Sequence, residues 1–268
     1  RADMSRFLNA QFQKLEAYTP GEQPRDQQYI KLNTNESPYP PAPSVVAAMT
    51  AGEVELLRLY SDPTAKNLKE KLAGLYGVTP ENVFVSNGSD EVLNFAFLAF
   101  GGQGVVFPEI SYGFYEVYAQ LYALDQEKIP LKEDFSIDPD DYLPAVTGQE
   151  NCGIIFPNPN APTGLMADLA MIEKIVLANQ DSVVIVDEAY VDFGGQSAAS
   201  LTKKYKNLIV VMTFSKSRSL AGARVGFAIA DEALIRDLKT IKYSTNPYNI
   251  NRLTQVAGYY AVKENDYY

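Results

Sequence analysis

Seven short apolar runs alternate with helix-like segments along this chain, and this alternation restricts its fold more than any other feature. The segments between the runs place apolar side chains at helical spacing, for example at Ile172, Ile175 and Val176. Near-continuous apolar strands separated by helices form mostly parallel sheets covered on both faces. We therefore predict a three-layer α/β/α fold around a mostly parallel seven-stranded sheet. The predicted strands centre on residues 83–85, 104–107, 127–129, 153–156, 183–186, 208–212 and 225–229.

Composition narrows the possible functions. The chain contains no histidine, which excludes Ser-His-Asp and Cys-His catalytic systems and His-ligated zinc, and we expect no metal site. A formal charge of −10 disfavours nucleic-acid and anionic-membrane partners. The single cysteine, Cys152, and the lack of a signal-peptide pattern favour a cytoplasmic protein. No apolar run approaches the ~20 residues that a membrane span needs.

The first polar cluster follows the first predicted strand. Ligands bind parallel sheets where the strands end, so the residues after each strand are candidates for chemistry. Gly88, Ser89 and Asp90 open a helical run, and the free N–H groups of a helix start suit a phosphate. An ordinary helix N-cap explains Ser and Asp equally well. This cluster alone leaves both interpretations open.

Two further clusters follow the fifth and sixth predicted strands. Asp187 ends a buried strand, so it should face a cation or a strong donor, either in a salt bridge or on a cofactor's protonated ring nitrogen. Lys216 lies between two serines, and Arg224 follows eight positions later. A lysine can form an imine with an aldehyde, and an arginine is a permanent phosphate clamp. A solvated lysine is the alternative.

Taken together, these clusters resemble the fold-type I aminotransferases of class I and II, which depend on pyridoxal phosphate. The resemblance rests on the order and spacing of four segments, and it is strongest for the histidinol-phosphate aminotransferase branch. It extends from an N-terminal arm around Tyr18 to Tyr248. The four segments are residues 88–91 (Gly-Ser-Asp-Glu), 162–164 (Pro-Thr-Gly), 187–190 (Asp-Glu-Ala-Tyr) and 215–216 (Ser-Lys).

The resemblance implies a role for each matching residue. Lys216 would hold the cofactor as a Schiff base, Asp187 would pair with the protonated ring nitrogen, and Tyr190 would hydrogen-bond the ring's phenolic oxygen. These three would form the catalytic group. Tyr112 would stack on the ring face. The other cofactor contacts from the same chain would come from Gly88, Ser89, Asp90, Asn160, Thr213, Ser215 and Arg224.

One cofactor contact differs from the family pattern. The family's usual asparagine before Pro-Thr-Gly is Ala161 here. Asn160 is the candidate for its role, and Asn158 is the alternative. Tyr60 would reach the phosphate bound by a partner subunit, which implies a homodimer with a shared active site.

The resemblance also implies a domain organisation. Residues 1–43 would form an N-terminal arm that contributes to the small domain and the active site. Residues 44–246 would form the large cofactor-binding domain, and residues 247–268 would begin the connection to a C-terminal small domain. The family continues beyond the point that Tyr268 matches, and that part would carry most of the small domain and an arginine for the substrate's carboxylate.

The implied reaction is ping-pong transamination between histidinol phosphate and 2-oxoglutarate, in histidine biosynthesis. Tyr18 and Tyr248 match the positions that contact the substrate in this branch, and Asn35 should lie near the substrate too. A broad-specificity aromatic aminotransferase and a threonine-phosphate decarboxylase share the same motifs and stay open as alternatives. A module that binds pyridoxal phosphate only as a sensor or for assembly is the alternative without catalysis.

Overall fold

A computed structural model describes residues 5–148 and 150–268, and seven strands within them form one sheet. Across the sheet the strand order is β1-β7-β6-β5-β4-β2-β3. Strand β7 runs antiparallel to both of its neighbours, and the other pairs are parallel. This confirms the mostly parallel seven-stranded sheet. The strands are β1 (Val83–Ser86), β2 (Val105–Pro108), β3 (Gln126–Ile129), β4 (Gly153–Pro157), β5 (Val183–Asp187), β6 (Leu208–Thr213) and β7 (Gly226–Ala230).

Helices connect most of these strands, and polar side chains start several of them. Asp168 accepts a hydrogen bond from the Met171 amide at the start of α7, and Asn251 caps α9 in the same way. Gly77 ends α3 in the left-handed conformation. The helices are α1 (Pro43–Ala48), α2 (Ala51–Glu55), α3 (Lys66–Tyr76), α4 (Gly88–Phe100), α5 (Phe114–Leu121), α6 (Pro144–Thr147), α7 (Leu169–Ala178), α8 (Glu232–Thr245) and α9 (Arg252–Lys263).

The sheet has an apolar core on each face. Alternate residues of a strand point to opposite faces, so Val210 joins one core and Val211 joins the other. Helices α3, α7 and α9 cover the first face, and α4, α5 and α8 cover the second. The predicted three-layer α/β/α fold is therefore confirmed. Burial on both faces explains why the central strands are nearly continuous apolar runs.

The two ends of the described chain differ in burial: the N-terminal residues are mostly exposed, and the C-terminal helix α9 packs into the core. Most of residues 5–41 are exposed, with one short 3₁₀ turn at Ala10–Phe12. Helix α9 packs into the first core through Ala257 and Ala261. The division at residues 43 and 246 stays a prediction. Among the described residues, no helix is long and apolar enough to cross a membrane.

Candidate active site

A cavity of about 410 Å³ opens where strands β4, β5 and β6 end. Strand β7 starts at the same edge because it runs antiparallel to β6. The residues that sequence analysis placed after different strands therefore meet in one place, as expected for the carboxyl edge of an α/β sheet. The predicted site residues that line the cavity are Ser89, Asp90, Tyr112, Asp187, Tyr190, Thr213, Ser215, Lys216 and Arg224.

One wall of the cavity concentrates donors that suit an anion. Arg224 lies between the start of α4 and the loop after β6: its Nη2 is 3.3 Å from Asp90 Oδ2, and its Nη1 is 3.5 Å from Ser215 Oγ. Thr213 Oγ1 lies 2.9 Å from Ser215 Oγ. A helix start, two hydroxyls and a guanidinium together can hold a phosphate.

Two glycines allow these elements to approach each other. Gly88 has φ +80°, and a Cβ placed there would lie 2.6 Å from Arg224 Nη2. A Cβ on Gly226 would lie 2.2 Å from the backbone nitrogen of Ser89. Gly226 therefore lets strand β7 pack against the first turn of α4, and Gly88 leaves room for the Arg224 guanidinium.

Asp187 lies at the end of β5 and is only 4% exposed. Its Oδ2 accepts a hydrogen bond of 2.8 Å from the hydroxyl of Tyr115. Its Oδ1 is buried and has no hydrogen-bond partner among the described residues. Burial raises the pKa of Asp187 to about 6, against the lowering effect of the Tyr115 hydrogen bond. One carboxylate oxygen at the cavity is thus ready for a donor that the described chain does not supply.

Lys216 reaches the cavity from the loop after β6. Its amine donates a hydrogen bond of 2.6 Å to the backbone carbonyl of Thr34 in the N-terminal arm. Burial lowers the pKa of the amine and Arg224 adds to this effect, whereas Asp90 and Glu36 oppose it. A lowered pKa favours the neutral amine, which is the form that attacks an aldehyde or accepts a proton.

The arm also contacts Tyr190, on the loop after β5. Asn35 Nδ2 donates a hydrogen bond of 2.9 Å to the Tyr190 hydroxyl, and the Lys216 amine lies 5.7 Å from the centre of the Tyr190 ring. Tyr112, which also lines the cavity, donates a hydrogen bond of 2.9 Å to Asp90 Oδ1. Both tyrosines thus line the cavity, and the stacking role of Tyr112 and the donor role of Tyr190 stay predictions.

Of the three residues considered before the Pro-Thr-Gly turn, one lines the cavity and the other two hydrogen-bond to the backbone. Ala161 lines the cavity, whereas Asn160 does not. The Asn160 side chain is buried and donates to the backbone carbonyl of Ile110 at 3.0 Å. Both ends of the Asn158 amide are bonded to the backbone of Ala167. In these hydrogen bonds, the side chains of both asparagines contact backbone groups of the chain. The cofactor contact assigned to Asn160 therefore stays a prediction.

Three predicted tyrosines lie outside the cavity lining. Tyr60 is 82% exposed, and its ring stacks on Tyr248 with centroids 4.4 Å apart. Tyr18, in the arm, stacks on Phe114 with centroids 4.2 Å apart. These positions leave the Tyr60 and Tyr248 rings at the surface, where another chain could meet them.

The sequence did not single out Tyr115 or the arm residues at the cavity mouth. Thr34 and Glu36 line the cavity together with Gln23. Tyr115 lies in the first turn of α5 and Tyr112 precedes that helix, so helical spacing does not link the two residues. The arm residues carry no sequence signal either, because the arm folds back by long-range contacts.

Comparison with known proteins agrees with this geometry. The family model described as aminotransferase class I and II matches residues 27–264. The chain is 53% identical over 268 residues to a histidinol-phosphate aminotransferase of Brachyspira hyodysenteriae, covering 99% of this chain and 74% of that protein. It is 51% identical to the histidinol-phosphate aminotransferase of Clostridium acetobutylicum, with coverage of 99% and 74%.

A solved structure shares the fold. The histidinol-phosphate aminotransferase of Sinorhizobium meliloti, in complex with pyridoxal-5'-phosphate, superposes with a TM-score of 0.78 at 26% identity, covering 87% of this chain and 64% of that one. The family model spans most of the chain, and the relatives align with nearly all of it. The chain therefore belongs to the class I and II aminotransferases, a family of enzymes that depend on pyridoxal phosphate.

Proposed function

We propose that this chain is a histidinol-phosphate aminotransferase that passes the amino group to 2-oxoglutarate. The observation that carries the proposal is that Lys216 and Asp187 line one cavity together with Arg224, Ser215 and the start of α4, which could hold a phosphate. The choice of substrate is supported by the similarity to histidinol-phosphate aminotransferases, which are 51–53% identical over 99% of this chain.

The residues of the cavity fit pyridoxal phosphate. The buried and unpartnered Asp187 Oδ1 suits a protonated ring nitrogen, because that nitrogen would supply the missing donor. Arg224, Ser215 and the start of α4 would hold the phosphate. Lys216 would hold the cofactor covalently, and the Tyr190 hydroxyl would bond the ring's phenolic oxygen. Bound pyridoxal phosphate supplies an aldehyde for the substrate's amine and a ring that withdraws negative charge from carbon.

The protein's own groups would then manage proton transfer. Lys216 Nζ would take the proton from the substrate carbon that bears the amino group and return it at a neighbouring position, because a neutral amine at close range is an effective base. The lowered pKa of Lys216 supports this role. The absence of histidine from the chain leaves lysine as a suitable base near neutral pH.

The proposal extends to a homodimer in which Tyr60 completes the partner subunit's phosphate site. Tyr60 is exposed and lies outside the cavity of its own chain, which supports a contact in trans. We place Tyr18, Asn35 and Tyr248 near the substrate. The hydrogen bond from Asn35 to the Tyr190 hydroxyl supports this for Asn35, because Tyr190 lines the cavity. A cytoplasmic location belongs to the same proposal, and the free, buried Cys152 is consistent with it.

The activity can be tested directly. The purified protein is loaded with pyridoxal phosphate and given histidinol phosphate with 2-oxoglutarate, and glutamate is quantified by chromatography. We expect glutamate to form faster with histidinol phosphate than with phenylalanine or tyrosine as donor. Carbon dioxide released from threonine phosphate, or faster transfer from the aromatic amino acids, would contradict the proposed substrate.

Matched lysine variants test the site itself. Lys216→Ala should abolish both the visible absorbance of bound cofactor and glutamate formation. Lys66→Ala is the control, because the Lys66 side chain is 71% exposed on α3, outside the cavity lining. Full glutamate formation by Lys216→Ala would refute the assignment. Cofactor absorbance without any turnover in the unmodified protein would favour a sensor.

A further inference from the structure

Tyr115 is a completely buried residue in the first turn of α5, and no motif of the chain assigns it a role. Its ring packs edge-on against Phe107 and Tyr112, with centroids 5.9 Å and 5.8 Å away. Phe97 lies 6.2 Å away on a third side. Rings on three sides hold Tyr115 in one orientation, so its hydroxyl has a fixed direction.

That hydroxyl contacts one oxygen of Asp187 and leaves the other free. Tyr115 donates to Asp187 Oδ2 at 2.8 Å, while Oδ1 has no partner among the described residues. The described chain also places no lysine or arginine in an ion pair with Asp187. A buried carboxylate without a cation is held by its hydrogen-bond donors. Tyr115 is therefore the side-chain donor that orients Asp187, and the backbone amide of Ala189 is the other donor that favours the carboxylate.

We propose that Tyr115 is a positioning residue that orients Asp187, so that Oδ1 faces the cofactor's ring nitrogen and the carboxylate stays ionised. This inference rests on the proposed function, because it needs a ring nitrogen at the cavity. Tyr115 does not line the cavity, so it acts on the cofactor only through Asp187.

The electrostatic surroundings of Asp187 explain why a fixed donor matters. Burial favours the neutral carboxyl, and the negative charge of Asp90 acts in the same direction. The Tyr115 hydroxyl and the amide of Ala189 oppose these effects. Without the hydroxyl the carboxyl would more readily take up a proton, and a neutral carboxyl cannot keep a ring nitrogen protonated.

Tyr115→Phe tests the inference, because phenylalanine keeps the ring and removes only the hydroxyl. The matched control is Tyr142→Phe, since Tyr142 is 1% exposed and its hydroxyl has no hydrogen-bond partner among the described residues. Each protein is loaded with pyridoxal phosphate labelled with ¹⁵N in the ring. The ¹⁵N chemical shift then reports ring protonation at one pH, independently of turnover.

We expect the Tyr115→Phe signal to move toward the unprotonated position and its cofactor affinity to fall about tenfold. Tyr142→Phe should match the unmodified protein in both measurements. An unchanged ¹⁵N signal in Tyr115→Phe would overturn the positioning role while leaving the proposed function intact. An unmodified protein that binds no pyridoxal phosphate would overturn the proposed function and this inference together.

A double-mutant cycle separates positioning from a general structural effect. In an Asp187→Asn background, Tyr115→Phe should change cofactor affinity by less than twofold, because the carboxylate it orients is gone. An equal loss of affinity in both backgrounds would overturn the inference, since it would mean that Tyr115 acts through packing. This comparison uses unfolding midpoints of all four proteins to verify that each one is folded.

Discussion

Replacing Asp187 by asparagine in the cofactor-free protein measures what its burial costs. The pKa of Asp187 rises from an ordinary value of 3.8 to about 6, with burial as the main cause. At about 1.36 kcal/mol per pKa unit, the rise corresponds to roughly 3 kcal/mol. Solvent does not screen the charge of this carboxyl, because the carboxyl is fully buried.

The sign of the pH dependence of stability follows from which state of the protein, folded or unfolded, binds the proton more tightly. Below pH 3.8 the carboxyl is protonated in both the folded and the unfolded chain, so it costs nothing. Between pH 3.8 and about 6 the unfolded chain ionises first, so this group lowers the free energy of unfolding as pH rises. Above about pH 6 the loss is complete and constant. The Asp187→Asn variant lacks this dependence.

Urea unfolding of both proteins at pH 4, 5, 6, 7 and 8 gives the assay. The free energy of unfolding of the unmodified protein, minus that of Asp187→Asn, should fall by about 2 kcal/mol from pH 4 to pH 7 and then level off. Glu188, the neighbouring buried acid, is present in both proteins, so its titration largely cancels. A difference that is constant with pH, or that grows with pH, would refute the argument that burial dominates at Asp187.

Substitutions at three further positions test other parts of the site and its surroundings. Gly88→Ala should cost about 1–2 kcal/mol in urea unfolding and weaken cofactor binding, because φ is +80° and the added Cβ meets the Arg224 guanidinium; unchanged stability would contradict the conformation of this turn. Arg224→Gln should raise the cofactor dissociation constant about tenfold in a fluorescence titration, and an unchanged constant would exclude it from phosphate binding. Glu188→Ala should cost about 2–3 kcal/mol, since it leaves Ser197 Oγ and the Ala198 amide without the acceptor now 2.6 Å away. Glu188→Gln should cost less, and equal losses would speak against these hydrogen bonds.

Six of the seven strands were predictable because they are buried on both faces, whereas the edge strand β3 is mostly exposed. Each of the seven apolar runs became one strand, with ends within about two residues of those predicted. The order of the strands was not predictable in the same way. Strand β7 lies between β6, which precedes it directly in the chain, and β1, which is more than a hundred residues away, and only long-range packing brings β1 beside it.

The cavity was predictable in its strand-end residues and not in its supporting ones. Asp187 and Lys216 follow strands directly, so the sheet alone brings them to one edge. Tyr115 reaches Asp187 from a helix packed on one face of the sheet, and the sequence does not give the angle of that helix. The hydrogen bonds that turn Asn160 away from the cavity likewise depend on a distant backbone carbonyl.

The antiparallel direction of β7 has a consequence for how the site could be inherited. Residues 214–225 leave β6 and enter β7 at the same edge, so one continuous stretch carries both Lys216 and Arg224. A parallel crossover would have carried the arginine to the opposite edge before the chain returned. Exchange of this short gene segment between relatives would therefore move the covalent anchor and the phosphate clamp as one heritable unit, whereas Asp187 would have to be retained separately.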